Sequence, residues 1–222
     1  MEMSETAESY KHQLCGMEIF PSFKYILPYM RGRKVLDLGC GEGRYLEYFG
    51  DGSVGMDVAG PNLKSCEEKG LKVVERDLNR DLPFSGERFE IIFLSHIIEH
   101  LDSPIQILRE SYRLLEPGGL IIIGVPNTGG LARLLGDHYF NDHEGHLYAL
   151  SFENIKVLLG KTGFRFKKIY VNLPLVKRCR LLFLMDLVQR VPFRFVSWVV
   201  DAIWVIGEKV RESDEGESGH LH

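Results

Sequence analysis

The residues best suited to chemistry lie in one short run, Val35-Leu36-Asp37-Leu38-Gly39-Cys40-Gly41-Glu42-Gly43. Glycines carry no Cβ, so a ligand can approach the backbone closely. Ligands of open parallel sheets bind at strand carboxyl ends, near the point where the strand order reverses. Two ligand classes compete for such a turn. A dinucleotide site reads G-x-G-x-x-G, whereas these glycines stand at 39, 41 and 43. Asp37 would repel a pyrophosphate, because like unit charges ~4 Å apart cost ~4 kcal/mol at an effective dielectric of ~20. A cationic ligand would favour that carboxylate. Asp57 follows Gly39 by 18 residues, where a carboxylate can accept both ribose hydroxyls, as the acidic residue ~20 positions on does in dinucleotide folds. The bland alternative is a solvated loop aspartate.

A second cluster is Asp137-His138-Tyr139-Phe140-Asn141-Asp142-His143-Glu144-Gly145-His146, with three of the eight histidines. Asp142, His143 and His146 could be read as metal ligands, but H-x-x-H is a weak pattern without further donors.

The elements that must position these residues alternate between strand and helix, which argues for a doubly wound parallel sheet with helices on both faces. Strands are expected at 34–38, 53–57, 71–75, 89–94, 120–125, 164–171 and 202–209. A short helix is expected near 44–49. Another runs from Pro61 to Lys69, with Pro61 in a first helical position and Gly70 as its stop. Asp102 or Ser103 caps a third, whose apolar face is Ile105, Leu108, Tyr112 and Leu115 and which Pro117-Gly118-Gly119 ends. Ser151 caps a fourth, carrying Phe152, Ile155, Leu158 and Leu159 and closed by Gly163. The fold class is therefore three-layer α/β, a mostly parallel seven-stranded sheet with a helical insertion between the last two strands. Residues 1–32 are expected to form an N-terminal helical cap, 33–174 the core, 175–200 the insertion, 201–210 the last strand and 211–222 a disordered tail.

Composition excludes several classes. Of 222 residues, 45% are hydrophobic and 26% charged, enough apolar material for a core and too much for a disordered chain. The net charge of -4 lowers a nucleic-acid reading, since such binders are more often basic. Cys15, Cys40, Cys66 and Cys179 form no C-x-x-C pair, which points to a reducing, cytoplasmic setting rather than to a disulfide framework. The longest uncharged stretch, 117–132, is broken by prolines and glycines and does not read as a membrane span.

In these motifs the chain resembles the class I, Rossmann-like methyltransferases that use S-adenosylmethionine. It is most similar to the small-molecule branch that includes the ubiquinone-biosynthesis O-methyltransferases. The resemblance covers about 33–171 and is carried by Asp37 to Gly43, Gly55-Met56-Asp57, Arg76-Asp77-Leu78 with Leu82-Pro83-Phe84, Phe89-Glu90-Ile91-Ile92, Glu99-His100-Leu101 and Leu114 to Leu120. It implies a cofactor with two positive charges and no phosphate, held by Asp37, Gly39, Cys40, Gly41, Asp57, Val58, Asp77, Leu78, Ser95 and His96. Asp57 would take the ribose and Asp77 the adenine amino group with Leu78 against the ring; the alternative for Asp77 is a turn-forming role. Ser95 and His96 would flank the methionine moiety, and Tyr10 could cover the site.

The resemblance implies methyl transfer to a small-molecule or lipid acceptor at oxygen; His143 or His146 is the candidate base that removes the acceptor's proton, and the alternative is that they are structural histidines that cap or bridge the loop. The ubiquinone-type enzymes carry a Glu-x-x-Glu-His metal motif; here it reads His96-Ile97-Ile98-Glu99-His100, so its first ligand is exchanged, and no metal is expected. No DNA partner is expected either, since the Asn/Asp-Pro-Pro-Tyr motif is absent after the fourth strand. A non-catalytic sensor or scaffold that binds the same cofactor, and an RNA or protein methyltransferase, are the alternatives. Residues 175–200 read first as a hydrophobic lid, then as a basic, aromatic surface for peripheral membrane contact, then as a dimer interface, which leaves monomer or homodimer open.

Overall fold

Strands that are apolar at nearly every position need cover on both faces, and the chain provides it. In the computed structural model, which describes residues 22–127, 146–173 and 183–210, seven strands form one sheet: β1 (Val35–Leu38), β2 (Val54–Asp57), β3 (Val73–Glu75), β4 (Phe89–Ser95), β5 (Leu115–Pro126), β6 (Phe164–Asn172) and β7 (Ala202–Lys209). Their order is β3-β2-β1-β4-β5-β7-β6. β1 to β5 run parallel, and β7 inserts antiparallel between β5 and β6. The strand order reverses between β1 and β4, where a ligand cleft is expected.

Successive residues point to opposite faces. Ile91, Phe93, Ile122, Trp204 and Ile206 bury on one face, against Phe23, Ile26 and Met30 of α1 (Phe23–Met30). Ile92, Leu94, Ile121, Ile123 and Val205 bury on the other. That face carries α3 (Pro104–Leu114), through Ile107, Leu108 and Leu114, and α4 (Phe152–Lys161), through Ile155 and Leu159. The remaining helix of the first half, α2 (Gly60–Glu68), has proline in its first turn and ends before Gly70 at φ +73°. Ser151 caps α4 in a reciprocal capping box with Asn154, as expected at that position. The sheet and the insertion between its last two strands thus match the architecture expected from the sequence. The insertion carries two short helices, α5 (Phe183–Val188) and α6 (Phe193–Val196).

Four details differ. The helix expected at 44–49 is a single 3₁₀ turn, Leu46–Tyr48. β3 begins at Val73, two residues later than expected. α3 stops at Leu114, and the Pro117-Gly118-Gly119 stretch lies inside β5, where the pairing with β4 shifts register. The buried face of α3 is Pro104, Ile107, Leu108, Ser111 and Leu114; Ile105 and Tyr112 lie half-buried. Ser111, which is not on the expected apolar face, donates its hydroxyl to the Ile107 carbonyl at 2.7 Å, so it enters the core satisfied. Of the expected cap, α1 is described; 1–21, 128–145, 174–182 and the tail 211–222 lie outside the described residues, as do Tyr10, Cys15 and Cys179.

Candidate functional site

The carboxyl ends of β1, β2, β4 and β5 meet at one edge, and the turn after β1 is fixed there by backbone bonds. The N–H groups of Gly39 and Cys40 both donate to the Met56 carbonyl, at 2.8 and 3.0 Å. Gly39 has φ +77°, and a Cβ there would fall 2.2 Å from the Ile97 side chain. Gly41 has φ +52° and nothing within 4 Å of its missing Cβ. The first glycine is required by packing; the second opens onto space from which a ligand can reach the backbone.

Asp57 is buried, and its carboxylate ties this turn to β2. Oδ2 accepts the Gly41 N–H at 2.8 Å and Oδ1 the Ala59 N–H at 2.8 Å. Each carboxylate oxygen has a second acceptor position, so this geometry still allows Asp57 to take two hydroxyls. Asp37 is also buried, at 1% exposure, and neither oxygen has a hydrogen-bond partner among the described residues. Burial, and next the Asp57 charge, push its carboxyl up to about 8. A cation brought beside this carboxyl would favour its ionised form and draw its pKa back down.

The other expected contacts are distributed unevenly. The Cys40 side chain packs into a small apolar cluster with Leu46 and Leu63, and burial raises its thiol well above the ordinary range; any ligand contact there is through the backbone. Val58 is exposed at the same edge. Asp77 accepts the Asn79 N–H at 2.9 Å and pairs with Arg80 at 3.5 Å, so the turn-forming role exists whatever else this side chain does. Leu78 packs half-buried against the main core. Ser95 ends β4 beside Tyr45, whose hydroxyl is raised to about 12 chiefly by burial. Tyr45 had no sequence signal, since an aromatic two residues past a glycine turn reads as core.

His96 follows β4 at φ +54°, a conformation that non-glycine residues hold only under constraint. Its N–H donates to the Gly124 carbonyl at 2.9 Å, and its Nδ1 lies 3.5 Å from Oε1 of the buried Glu99. Burial opposes ionisation of Glu99, but His96, with a smaller contribution from His100, holds its carboxyl below the ordinary range. The Glu99 carbonyl accepts the N–H groups of Leu147 and Tyr148 at 2.9 and 3.2 Å. That docking brings His146 within 4.5 Å of His100, ring centre to ring centre. One donor atom each from Glu99, His100 and His146 lie within 4.8 Å of one another. Two imidazoles and an ionised carboxylate are donors suited to a divalent transition ion. Of the two expected bases, the structure describes His146 here; His143 and Asp142 lie outside the described residues.

A family model described as a methyltransferase domain matches residues 12–168. A ubiquinone biosynthesis O-methyltransferase of Cereibacter sphaeroides is 34% identical over 109 residues, covering 46% of this chain and 44% of the relative. An uncharacterized protein of Methanocaldococcus jannaschii is 33% identical over 104 residues, 47% of this chain and 48% of its own. The chain spans about half the length of the curated relatives it matches. Among solved structures, an S-adenosylmethionine-dependent methyltransferase from Archaeoglobus fulgidus superposes with TM-score 0.64 at 25% identity, over 84% of this chain and 90% of that one.

Proposed function

The chain belongs to this methyltransferase-domain family, and on that premise we propose that it transfers a methyl group from S-adenosylmethionine to the oxygen of a small-molecule or lipidic acceptor. The observation that carries the reading is Asp37: a buried carboxyl with no partner among the described residues, beside the open turn at Gly41. A sulfonium and an ammonium draw that carboxyl into its ionised form and gain a counter-charge, which a pyrophosphate cannot do.

The cofactor supplies an electrophilic methyl on sulfur; the chain's residues hold, orient and deprotonate. Asp57 accepts the ribose hydroxyls while its other acceptor positions keep Gly41 and Ala59 in place. Asp77 and Leu78 border the adenine, with Val58 at the rim. Ser95 and His96, at the end of β4, face the methionine moiety. His146 takes the proton of the acceptor hydroxyl, and the ionised Glu99 beside it favours the resulting imidazolium. A divalent cation held by Glu99, His100 and His146 would take up the His146 lone pair and replace it in this role, lowering the acceptor's pKa itself. The buried free thiols of Cys40 and Cys66 fit a reducing cytoplasm.

Titration calorimetry with S-adenosylmethionine and, separately, with NAD tests the reading on wild type and Asp57→Ala. Expected is binding of the first near ~1–10 µM, about -7 to -8 kcal/mol, weakened at least about tenfold by the substitution, and none of the second. NAD binding without S-adenosylmethionine binding would overturn it. Binding with no turnover over phenol and lipid acceptors would assign the chain to the sensor class instead.

A further inference from the structure

The turn that enters β7 carries an exposed apolar surface with cations at its border. Leu187, Phe195, Trp198 and Val199 are all exposed, Phe195 and Trp198 by 58% and 57%. Buried Val196 and Val200 hold the same turn to the core. Trp198 donates its indole N–H to the Phe195 carbonyl at 3.0 Å, so the ring presents a satisfied polar edge and a bare face. Arg190 and Arg194 are exposed in the same stretch, and the Arg194 guanidinium lies 4.7 Å from the Phe195 ring centre. From 187 to 200 there is no acidic residue. This local cationic run stands in a chain of net charge -4.

The surface is held in place rather than hinged. The Gln189 amide pairs with both backbone groups of Val171 on edge strand β6, at 3.0 and 2.7 Å. Asp186 is engaged by Lys24 at 3.0 Å and by the Tyr25 hydroxyl. The Asn127 amide, just past β5, donates to the carbonyls of Ser197 and of Val200, the latter at 3.0 Å. The patch is thereby clamped to the edge of the sheet where β5 ends and β7 begins, the edge that also carries Asp57, Ser95 and His96.

We propose that Phe195, Trp198, Val199 and Leu187, flanked by Arg190 and Arg194, form a docking surface for a bilayer rich in anionic lipid. Aromatic and aliphatic side chains enter the headgroup region while arginines meet lipid phosphates. Among the described residues no helix is long and apolar enough to cross a membrane, so the contact is peripheral. A two-fold contact between copies on this face fits less well: it would set the arginines of both chains together with no carboxylate from 187 to 200 to answer them. Docking in this orientation turns the site edge towards the bilayer and, given the methyltransferase reading, makes the acceptor a membrane-borne one.

Co-sedimentation of cofactor-free protein with vesicles tests the surface independently of the reaction. Neutral phosphatidylcholine vesicles are compared with vesicles holding about one-third phosphatidylglycerol. Expected is binding to the anionic vesicles, about tenfold weaker to neutral ones and weakened again at ~0.5 M salt. Phe195→Ser with Trp198→Ser, and separately Arg190→Glu with Arg194→Glu, should each lose most of it with an unchanged melting curve. The chain has two tryptophans, and Trp204 is buried. A vesicle-induced blue shift should therefore come from Trp198 and vanish in Trp198→Phe. No sedimentation, sedimentation indifferent to these substitutions, or a dimer that the Phe195 and Trp198 substitutions dissociate without vesicle binding would each overturn the proposal. None of these outcomes bears on cofactor binding, which is read by calorimetry.

Discussion

Asp37 is the residue at which stability and ligand choice meet. Its folded carboxyl keeps a proton up to about pH 8, against an ordinary value of 3.8. The folded state therefore binds more protons than the unfolded one across that window, so stability falls as pH rises from about 4 to 8 and levels off above. At ~1.4 kcal/mol per unit, the penalty at high pH is on the order of 6 kcal/mol. Asp37→Asn should be relatively stabilised at pH 8.5 compared with pH 5.5, which chemical denaturation at the two values measures; an unchanged pH slope would contradict the assignment. The sequence made Asp37 and the glycine turn legible because charge and missing Cβ atoms are properties of residue type. It did not reveal that Asp57 spends half its acceptor capacity on Gly41 and Ala59, or that the Cys40 side chain turns into a packed cluster. Those depend on which backbone atoms the turn brings near.

Asn127 shows how an element is held at a distance in sequence. Its N–H donates to the Asp201 carbonyl at 2.7 Å, and its amide serves Ser197 and Val200. Asn127→Ala leaves buried carbonyls unmatched and should cost about 1–3 kcal/mol. Limited proteolysis should then cut within 190–200 faster than in wild type. The helices with local signals were legible: proline in the first turn of α2, the Ser151 cap of α4. The face of α3 was placed wrongly by about one residue, because a buried serine bonded to its own helix looks polar in sequence. The expected helix at 44–49 shrank to one turn, since the chain must return at once through Phe49 and Gly50 to pair with the β1 entrance, where Gly50 donates to the Arg33 carbonyl at 2.8 Å.

At the scale of the molecule, the last strand in sequence is an interior strand of the sheet. β7 bonds β5 on one side and β6 on the other, and Trp204 on it reaches back to donate to the Ser22 hydroxyl at 2.9 Å. A chain ending at residue 200 should therefore lack a cooperative melt, with β5 losing one partner and β6 both its own bonding edge and its place in the sheet. Circular dichroism and gel filtration check this; a folded truncated chain would contradict it. Such sequence-distant pairing also predicts slow folding for the length.

The sequence by itself determined the alternation of elements, the apolar strands, the glycine turn with its two aspartates and the kinship those motifs carry. Each follows from residue type and spacing over a few positions, where propensity and charge act directly. Only the tertiary structure decided that Glu99, His100 and His146 share one point and that Tyr45 meets Ser95. It alone clamped an arginine-flanked aromatic turn to the site edge. Those are meetings between residues tens of positions apart, and sheet order and loop docking, rather than local preference, bring them about.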